Sequence, residues 1–542
     1  MTAARTRRGA ANRLYVLMAG SGAIIVALTF LLFGTTDMSC GSSSVAGSGN
    51  ANVDDSNPDN EVEPPSDSGM FIYCAAGMQY PMEEIKSRYE EEFPRRGKIQ
   101  LQYGGSNTLF GQLKISKAGD LFLAADESYL HMAREEGLVA ESIPIAKMRP
   151  VIAVRQDSKK KIASVADLLR DDVKVALGNP TAAAIGKKAK RLLSASGQWT
   201  ELERRTTTSG VFKPTVNEVA NAVKIGSVDA GIIWDSTAAQ YPELKPIRVP
   251  ELDAGTALVS IGVISTSKTP TAALHFARYV TSRDRGQVSF GELGWELIEG
   301  DVWQDRPEIT LFAGAVNRRA IEPVLKQFQL REGATINTVY DGCGILTARM
   351  RSISEEQSAG FPDTYMACDV YYLNTVKEMF QDAVNVSDTD IVIAVSKGNP
   401  KDIRSVEDFL REDVRVVLGQ PDQCTIGVLS RRLLQEKGVY ERLMSERKIP
   451  LKASSAQLVP DILSGASDAT LAYRTDTRAA ASQLEVIPID SNLSKAIQPY
   501  AIARSSDHKY LGRRLYDAIS KSRDSFESAG FHFRLNDTTG GE

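Results

Sequence analysis

The chain has 542 residues, which at roughly 100–250 residues per domain gives two to four domains and excludes a single small module. Hydrophobic residues make up 42% and charged residues 24%, an ordinary globular balance that fits neither a disordered chain nor a polytopic membrane protein. The 64 Lys and Arg against 68 Asp and Glu leave −4 with no long basic run, so no nucleic-acid groove is expected, and five cysteines are too few for a disulfide scaffold.

Residues 1–13 are basic through Arg5, Arg7, Arg8 and Arg13, and a nearly unbroken apolar run follows over 14–34. About 20 such residues cross a ~30 Å hydrocarbon core, and the basic flank puts the amino terminus in the cytoplasm and the bulk of the chain outside. The run exceeds the ~7–15 residues of a signal-peptide core, so it is expected to remain as an uncleaved single-pass transmembrane anchor. Cys40 follows Asp37-Met38-Ser39, which lacks the apolar residue of a lipobox, and reads as an ordinary exported cysteine. Residues 35–69 are rich in Gly, Ser, Asn, Asp and Pro and are expected to be a disordered linker that tethers folded material to the membrane.

From residue 70 the chain reads as strands alternating with helices. FIYCAAG is a strand, PMEEIKSRYEEEF a helix, KIQLQYGG a strand, SNTLFGQLKIS a helix, DLFLAAD a buried strand and ESYLHMAREEG a helix. Pro150–Val154 and Val173–Leu177 continue as strands, with a capped helical turn over Ser164–Arg170 between them. The order then repeats. The segment from Ile152 to Leu193 matches that from Ile393 to Leu434 without a gap at an offset of 241, and Tyr103/Tyr340, Asp126/Asp369 and Trp234/Tyr473 keep nearly the same spacing. A period this long is a duplicated domain, not a solenoid of about 20–50-residue units. The expected modules are 70–305 and 306–536, with a tail over 537–542, and each is expected to hold two α/β lobes around mostly parallel sheets covered on both faces.

Ligands of open α/β sheets gather outside the carboxyl ends of the strands, where helix N-termini favour anions. The positions so placed are Ala75–Met78, Gly104–Thr108, Ala125-Asp126 and Thr181–Gly186, although each taken alone is also plain turn chemistry.

Read together, these turns resemble the periplasmic molybdate-binding proteins of ABC importers. Ile72–Met78, Gly105–Leu109, Gly119–Asp126, Gly178–Pro180, Gly231–Trp234 and Leu293–Trp295 stand in that family's order. Phe312–Ala315, Gly342–Leu346, Pro362–Asp369, Gly419–Pro421, Leu471–Tyr473 and Ala529–Phe531 repeat it. The resemblance implies two tandem type II periplasmic-binding modules, each closing on a small tetrahedral oxyanion held by neutral donors. Carried over, the first site consists of Gly77, Ser106 with its neighbour Asn107, Ile185, Val216 and Trp234. The second consists of Val316, Cys343, Ile426, Ser455 and Tyr473. Trp234 stands where the family has a tyrosine, and Asp235 beside it would repel an anion if it faced the cleft. In the second module the tyrosine remains and both serines are replaced.

By the same resemblance Cys343, Cys368 and Cys424 point toward one cleft. They read in three ways: as buried small residues, as a Cys343–Cys368 disulfide, or as soft-metal ligands with Asp369 or Tyr473 nearby. His131, His275, His508 and His532 have no metal spacing, and neither a hydrolytic triad nor a phosphate-binding P-loop is present.

The leading expectation is an exported, membrane-anchored solute-binding protein, not an enzyme and without a cofactor. It would capture a molybdate- or tungstate-like oxyanion for ABC permease subunits and bind no nucleic acid. The alternative is a metal-binding or redox-sensing module built on the second-module cysteines, and a third reading is an interaction module.

Overall fold

The computed structural model of the chain describes residues 69–353 and 360–535. The expected basic terminus 1–13, the span 14–34, the linker 35–69 except its last residue, and the tail 537–542 lie outside the described residues. Among the described residues no helix is long and apolar enough to cross a membrane.

The first half opens with β1 (Met70–Ala75), β2 (Ile99–Gly104) and β3 (Leu121–Ala124), and β1 pairs in parallel with both of the others. All of β3 is buried, as expected of a short apolar run covered on both faces. The chain then runs through β4 (Val139–Met148), turns at Arg149 and starts a second sheet with β5 (Pro150–Arg155). There β6 (Val175–Gly178), β7 (Val211–Lys213), β8 (Ala230–Trp234) and β9 (Leu244–Ile247) give the order β7-β6-β8-β5-β9. The return strand β10 (Ala257–Ile264) slips between β3 and β4, and β11 (Glu296–Leu297) closes the first sheet as β11-β4-β10-β3-β1-β2.

These sheets are mixed, which corrects the mostly parallel expectation. β10 runs antiparallel to β3 and β4, and β5 antiparallel to β8 and β9. The cause is the crossing of the chain between lobes. The parallel strands end at the cleft, so a strand arriving from the other lobe starts there and must run against them. The helical turn expected over Ser164–Arg170 is a 3-10 turn, Ala166–Leu169, with Ser164 and Asp167 exchanging side-chain and backbone hydrogen bonds.

The second half repeats the plan with β12 (Glu308–Gly314), β13 (Thr335–Asp341) and β14 (Thr364–Met366), again parallel about β12. Here β15 (Phe380–Ser396) takes the place of both β4 and β5. Its first part pairs with β20 (Lys495–Ala503), and its last six residues pair with β18 (Ala469–Tyr473) and β19 (Leu484–Pro488). β16 (Val416–Gly419) and β17 (Leu451–Lys452) complete the second lobe, and β21 (His532–Phe533) pairs with β15. The first half breaks at this point because Pro150 has no N–H for the ladder, whereas the matching residue of the second half is Ile391.

The halves meet through their first lobes. Glu332, at the end of the helix Arg318–Glu332, accepts from Arg278 of the first half and from Arg514 of the second. Asp301, in the connection, accepts the N–H groups of Tyr510 and Leu511 at 2.9 and 3.0 Å, which are orphan donors of the first turn of helix Lys509–Ser520.

Candidate functional site

In the first half three helices aim their N-termini at the gap between lobes: Ser106–Ser116 from the first lobe, and Ala184–Ala195 and Val216–Lys224 from the second. The 3-10 turn Ala76–Met78 joins them at the end of β1. The leading N–H groups of a helix have no partner inside it, so this arrangement gathers donors and positive dipole ends in one place. All six residues expected here from sequence fall on these elements or beside them. Gly77 packs against Val216, with Thr237 next to it. Ser106 is buried, and its Oγ accepts the Ala125 N–H at 3.1 Å, which leaves the hydroxyl proton free to donate. Ile185 and Val216 sit in the first turns of their helices, and Trp234 is buried at the end of β8.

Asn107 has a different job. Its backbone N–H donates to Ala182 O at 3.0 Å and its side-chain Nδ2 to Thr181 O at 2.6 Å, so it joins the two lobes at the position where a ligand contact was expected. Asn217 does the same in the other direction, donating Nδ2 to Ala76 O at 2.8 Å. Asp235 is turned away from the cleft: its Oδ1 accepts from the N–H groups of Arg149 and Ser236, at the crossing between lobes.

A charged latch lies beside these contacts. Asp126, at the end of β3, is ion-paired with Lys188 of helix Ala184–Ala195, and both side chains are nearly buried. Burial pushes the Asp126 carboxyl up, but Lys188 and the Ser128 donors outweigh it and hold it below the ordinary range. The repeat contained the signal for this pair, since Lys188 aligns with Leu429 and is a charge where the other copy has none. Replacing Asp126 by Asn would leave Lys188 without a counter-ion. Lobe contacts in the first half are then expected to loosen by about tenfold, or ~1.4 kcal/mol, read as faster hydrogen exchange at Asn107. Unchanged exchange would remove the latch role.

The second half builds the same junction. Gly344 and Ile345, in the first turn of helix Cys343–Ser352, both donate to Gln423 O across the gap, as Asn107 and Thr108 do to Ala182 O. A narrow pocket remains, lined by Ala315, Asp341, Gly342, Cys368, Cys424, Thr425, Ile426, Ser454, Ser455 and Tyr473. Three of the five residues expected for this site, Ile426, Ser455 and Tyr473, line it. Val316 and Cys343 are buried beside it. The Tyr473 hydroxyl and the Thr425 Oγ1 are buried without a hydrogen-bond partner. Burial and the surrounding thiols and carboxylate keep the Tyr473 phenol far above its ordinary range, so it remains a neutral donor. Thr425 escaped the sequence reading because the resemblance pointed only to the backbone amide next to it.

The three cysteines do not converge as one ligand set, which corrects the metal expectation. Cys343 and Cys368 touch, but the Cys424 thiol is directed at the carbonyls of Gln420 and Lys452, each 3.5 Å away. Among the described residues no group of three or more His, Cys, Asp or Glu is placed to hold a metal ion. Cys343, Cys368, Cys424 and the isolated Cys74 are all buried thiols.

A family model described as bacterial extracellular solute-binding protein matches residues 70–295 and again 309–532. A protein of Haemophilus influenzae is 28% identical over 204 residues, 38% of this chain and 81% of the relative. The molybdate-binding protein ModA of Mycobacterium tuberculosis is 25% identical over 215 residues, 39% of this chain and 79% of its own. Among solved structures, the periplasmic molybdate-binding protein of Azotobacter vinelandii is 13% identical, covering 42% of this chain and 99% of its own with a TM-score of 0.37.

Proposed function

The chain belongs to the bacterial extracellular solute-binding protein family, and on that premise we propose that it is an extracytoplasmic receptor with two ligand clefts. Each of its two modules, taken as 70–305 and 306–536, closes two lobes on a small oxyanion of the molybdate or tungstate type and presents it to ABC permease subunits. Residues 14–34 hold the receptor at the membrane. The first cleft uses the Gly77, Ile185 and Val216 amides with Ser106 and Trp234, and the second uses Val316, Cys343, Ile426, Ser455 and Tyr473 with the Thr425 hydroxyl added.

The observation that carries this reading is the second pocket. Helix N-termini from two lobes meet there, and two buried hydroxyls, Tyr473 and Thr425, have no protein partner. A buried donor without an acceptor costs about 1–3 kcal/mol, and a small anion supplies the acceptor while the dipole ends favour its charge. The donors gathered here are neutral, and Asp341, the one carboxylate among the lining residues, accepts the Gly342 N–H at 2.7 Å. The name of the Mycobacterium tuberculosis relative favours molybdate among such anions. No catalytic group enters this reading.

Calorimetric titration of the detergent-solubilised full chain with molybdate, tungstate and sulfate tests it. Heat is expected with at least one of the three. A hydrogen bond to a charged ligand is worth about 1.5–3 kcal/mol, so Tyr473→Phe should weaken the second site by about 10- to 150-fold. No heat with all three anions would overturn the oxyanion assignment.

A further inference from the structure

The second cleft contains a pair of thiols that the first lacks, and the first shows what they replaced. Ser106 Oγ accepts the Ala125 N–H at 3.1 Å. At the matching place Cys343 Sγ accepts the Cys368 N–H, also at 3.1 Å, and the two sulfurs lie 2.9 Å apart. A third position has changed with them: Ala75, at the end of β1, corresponds to Gly314 at the end of β12. A Cβ on Gly314 would overlap Cys368 Sγ and stand 2.8 Å from Cys343 Sγ. The glycine leaves the space in which the Cys368 sulfur lies against that of Cys343.

The surroundings also separate the two thiols chemically. Burial pushes Cys343 up, but the neighbouring Cys368 thiol and backbone N–H, 2.9 and 3.1 Å away, outweigh it and hold Cys343 below the ordinary thiol range. Its bond to Cys343, together with burial, holds Cys368 well above that range. The sulfur that ionises more readily is the one that attacks, and the one that stays protonated resolves.

We propose that Cys343 and Cys368 form an oxidisable dithiol whose conversion to a disulfide by a peroxide lowers anion binding in the second cleft. The Cys343 thiolate attacks one peroxide oxygen, the O–O bond breaks and hydroxide leaves, giving a sulfenic acid. Cys368 sulfur then attacks Cys343 sulfur, the S–S bond forms, and the remaining oxygen leaves as water. In sum two thiols and one peroxide give one disulfide and two waters. The second half of the inference rests on the proposed function, in which Cys343 holds the donor position that Ser106 holds in the first cleft. A disulfide has no S–H to donate, while Ser106 is unaffected by peroxide, so one chain would carry one oxidation-sensitive cleft and one insensitive cleft.

The test treats the full chain with hydrogen peroxide, blocks remaining thiols after denaturation, and maps the peptides by mass. The expected result is a Cys343–Cys368 cross-link, reversed by dithiothreitol, with Cys74 and Cys424 still blocked as thiols. Cys343→Ser and Cys368→Ala each restore the residue of the first half and are expected to fold. The first should form no cross-link, and the second should stop at a sulfenic acid trapped by dimedone. Both cysteines still blocked as thiols under excess peroxide, or a different pair linked, would overturn the dithiol. In parallel, molybdate affinity of the second cleft should fall at least tenfold on oxidation in the wild type and stay constant in Cys343→Ser. A cross-link with constant affinity would overturn the gating. A cross-link with no molybdate heat in either state would overturn the oxyanion reading and leave the dithiol standing.

Discussion

Replacing Glu332 by Ala is expected to destabilise the joined pair of modules by about 3–5 kcal/mol, because it strands two buried guanidinium groups without their shared carboxylate. Arg514 Nε and Nη2 reach Glu332 at 2.6 and 3.1 Å, and Arg278 Nη1 reaches its carboxylate at 3.3 Å and its backbone carbonyl at 2.6 Å. The three side chains are no more than 9% exposed, so water cannot replace the lost partner. Burial, with the Arg514 charge beside it, lowers the Arg278 guanidinium to about 10 although Glu332 pulls it back up. Glu332 itself is pushed up by burial and pulled further down by Arg514 and Arg278, ending below the ordinary carboxylate range. A depressed carboxylate stabilises the fold above its unfolded value of about 4.3, and that contribution is lost as the pH falls through the folded value. Urea unfolding of the wild type should therefore weaken below about pH 4 from this group, whereas Glu332→Gln should lack that component. A midpoint for Glu332→Ala matching the wild type would show that the triad does not hold the halves together. The triad joins first lobes only, so it fixes the halves without restraining either second lobe, and each cleft keeps its own hinge.

Much of this was legible in the sequence because the chain carries its own comparison. The gapless match from Ile152 to Leu193 with Ile393 to Leu434 marked the second-lobe elements of both halves, and the apolar run DLFLAAD marked β3. The crossings were not legible. β10 is an almost wholly apolar run and β4 mixes apolar and polar residues without strict alternation, and nothing local to either says that it pairs with a strand more than 100 residues away in the chain. The sites were legible at the level of turns but not of side-chain direction. Asn107 sits where a ligand contact was expected, yet its short side chain reaches Thr181 O in the opposing lobe. Cys424 follows the right turn, but the helix start at Thr425 directs its thiol to the Gln420 and Lys452 carbonyls and leaves the hydroxyl of Thr425 in the pocket. Spacing along the chain fixes which turn a residue occupies. The first φ and ψ angles of the next helix decide where its side chain goes.

Gly105→Ala and Gly342→Ala are expected to oppose closure of the first and second clefts respectively, each without disturbing the lobe that carries it. Both glycines precede a helix in extended backbone, with φ and ψ of −71° and 140° for Gly105 and −63° and 133° for Gly342, angles that any residue adopts. Local conformation therefore does not require glycine at either place, and the requirement comes from across the cleft. A Cβ on Gly105 would overlap Ala182 O and stand 2.6 Å from Pro214 O, and one on Gly342 would stand 2.6 Å from Gln423 O and 2.7 Å from Ala453 O. These four carbonyls belong to the second lobes, and they approach the glycines only when the lobes meet. Backbone oxygens cannot swing aside as a side chain can, so the added methyl should cost the closed state about 1–3 kcal/mol, typical of overpacking. Ligand affinity should fall by about 5- to 150-fold in the substituted module alone, with the ligand-free unfolding midpoint of each lobe unchanged. Small-angle scattering of the double variant should show a larger radius of gyration in the presence of ligand than the wild type does. Affinity within twofold of wild type in both single variants would mean that the clefts bind without bringing these backbones together, and the shared mechanism of closure in the two halves would fall.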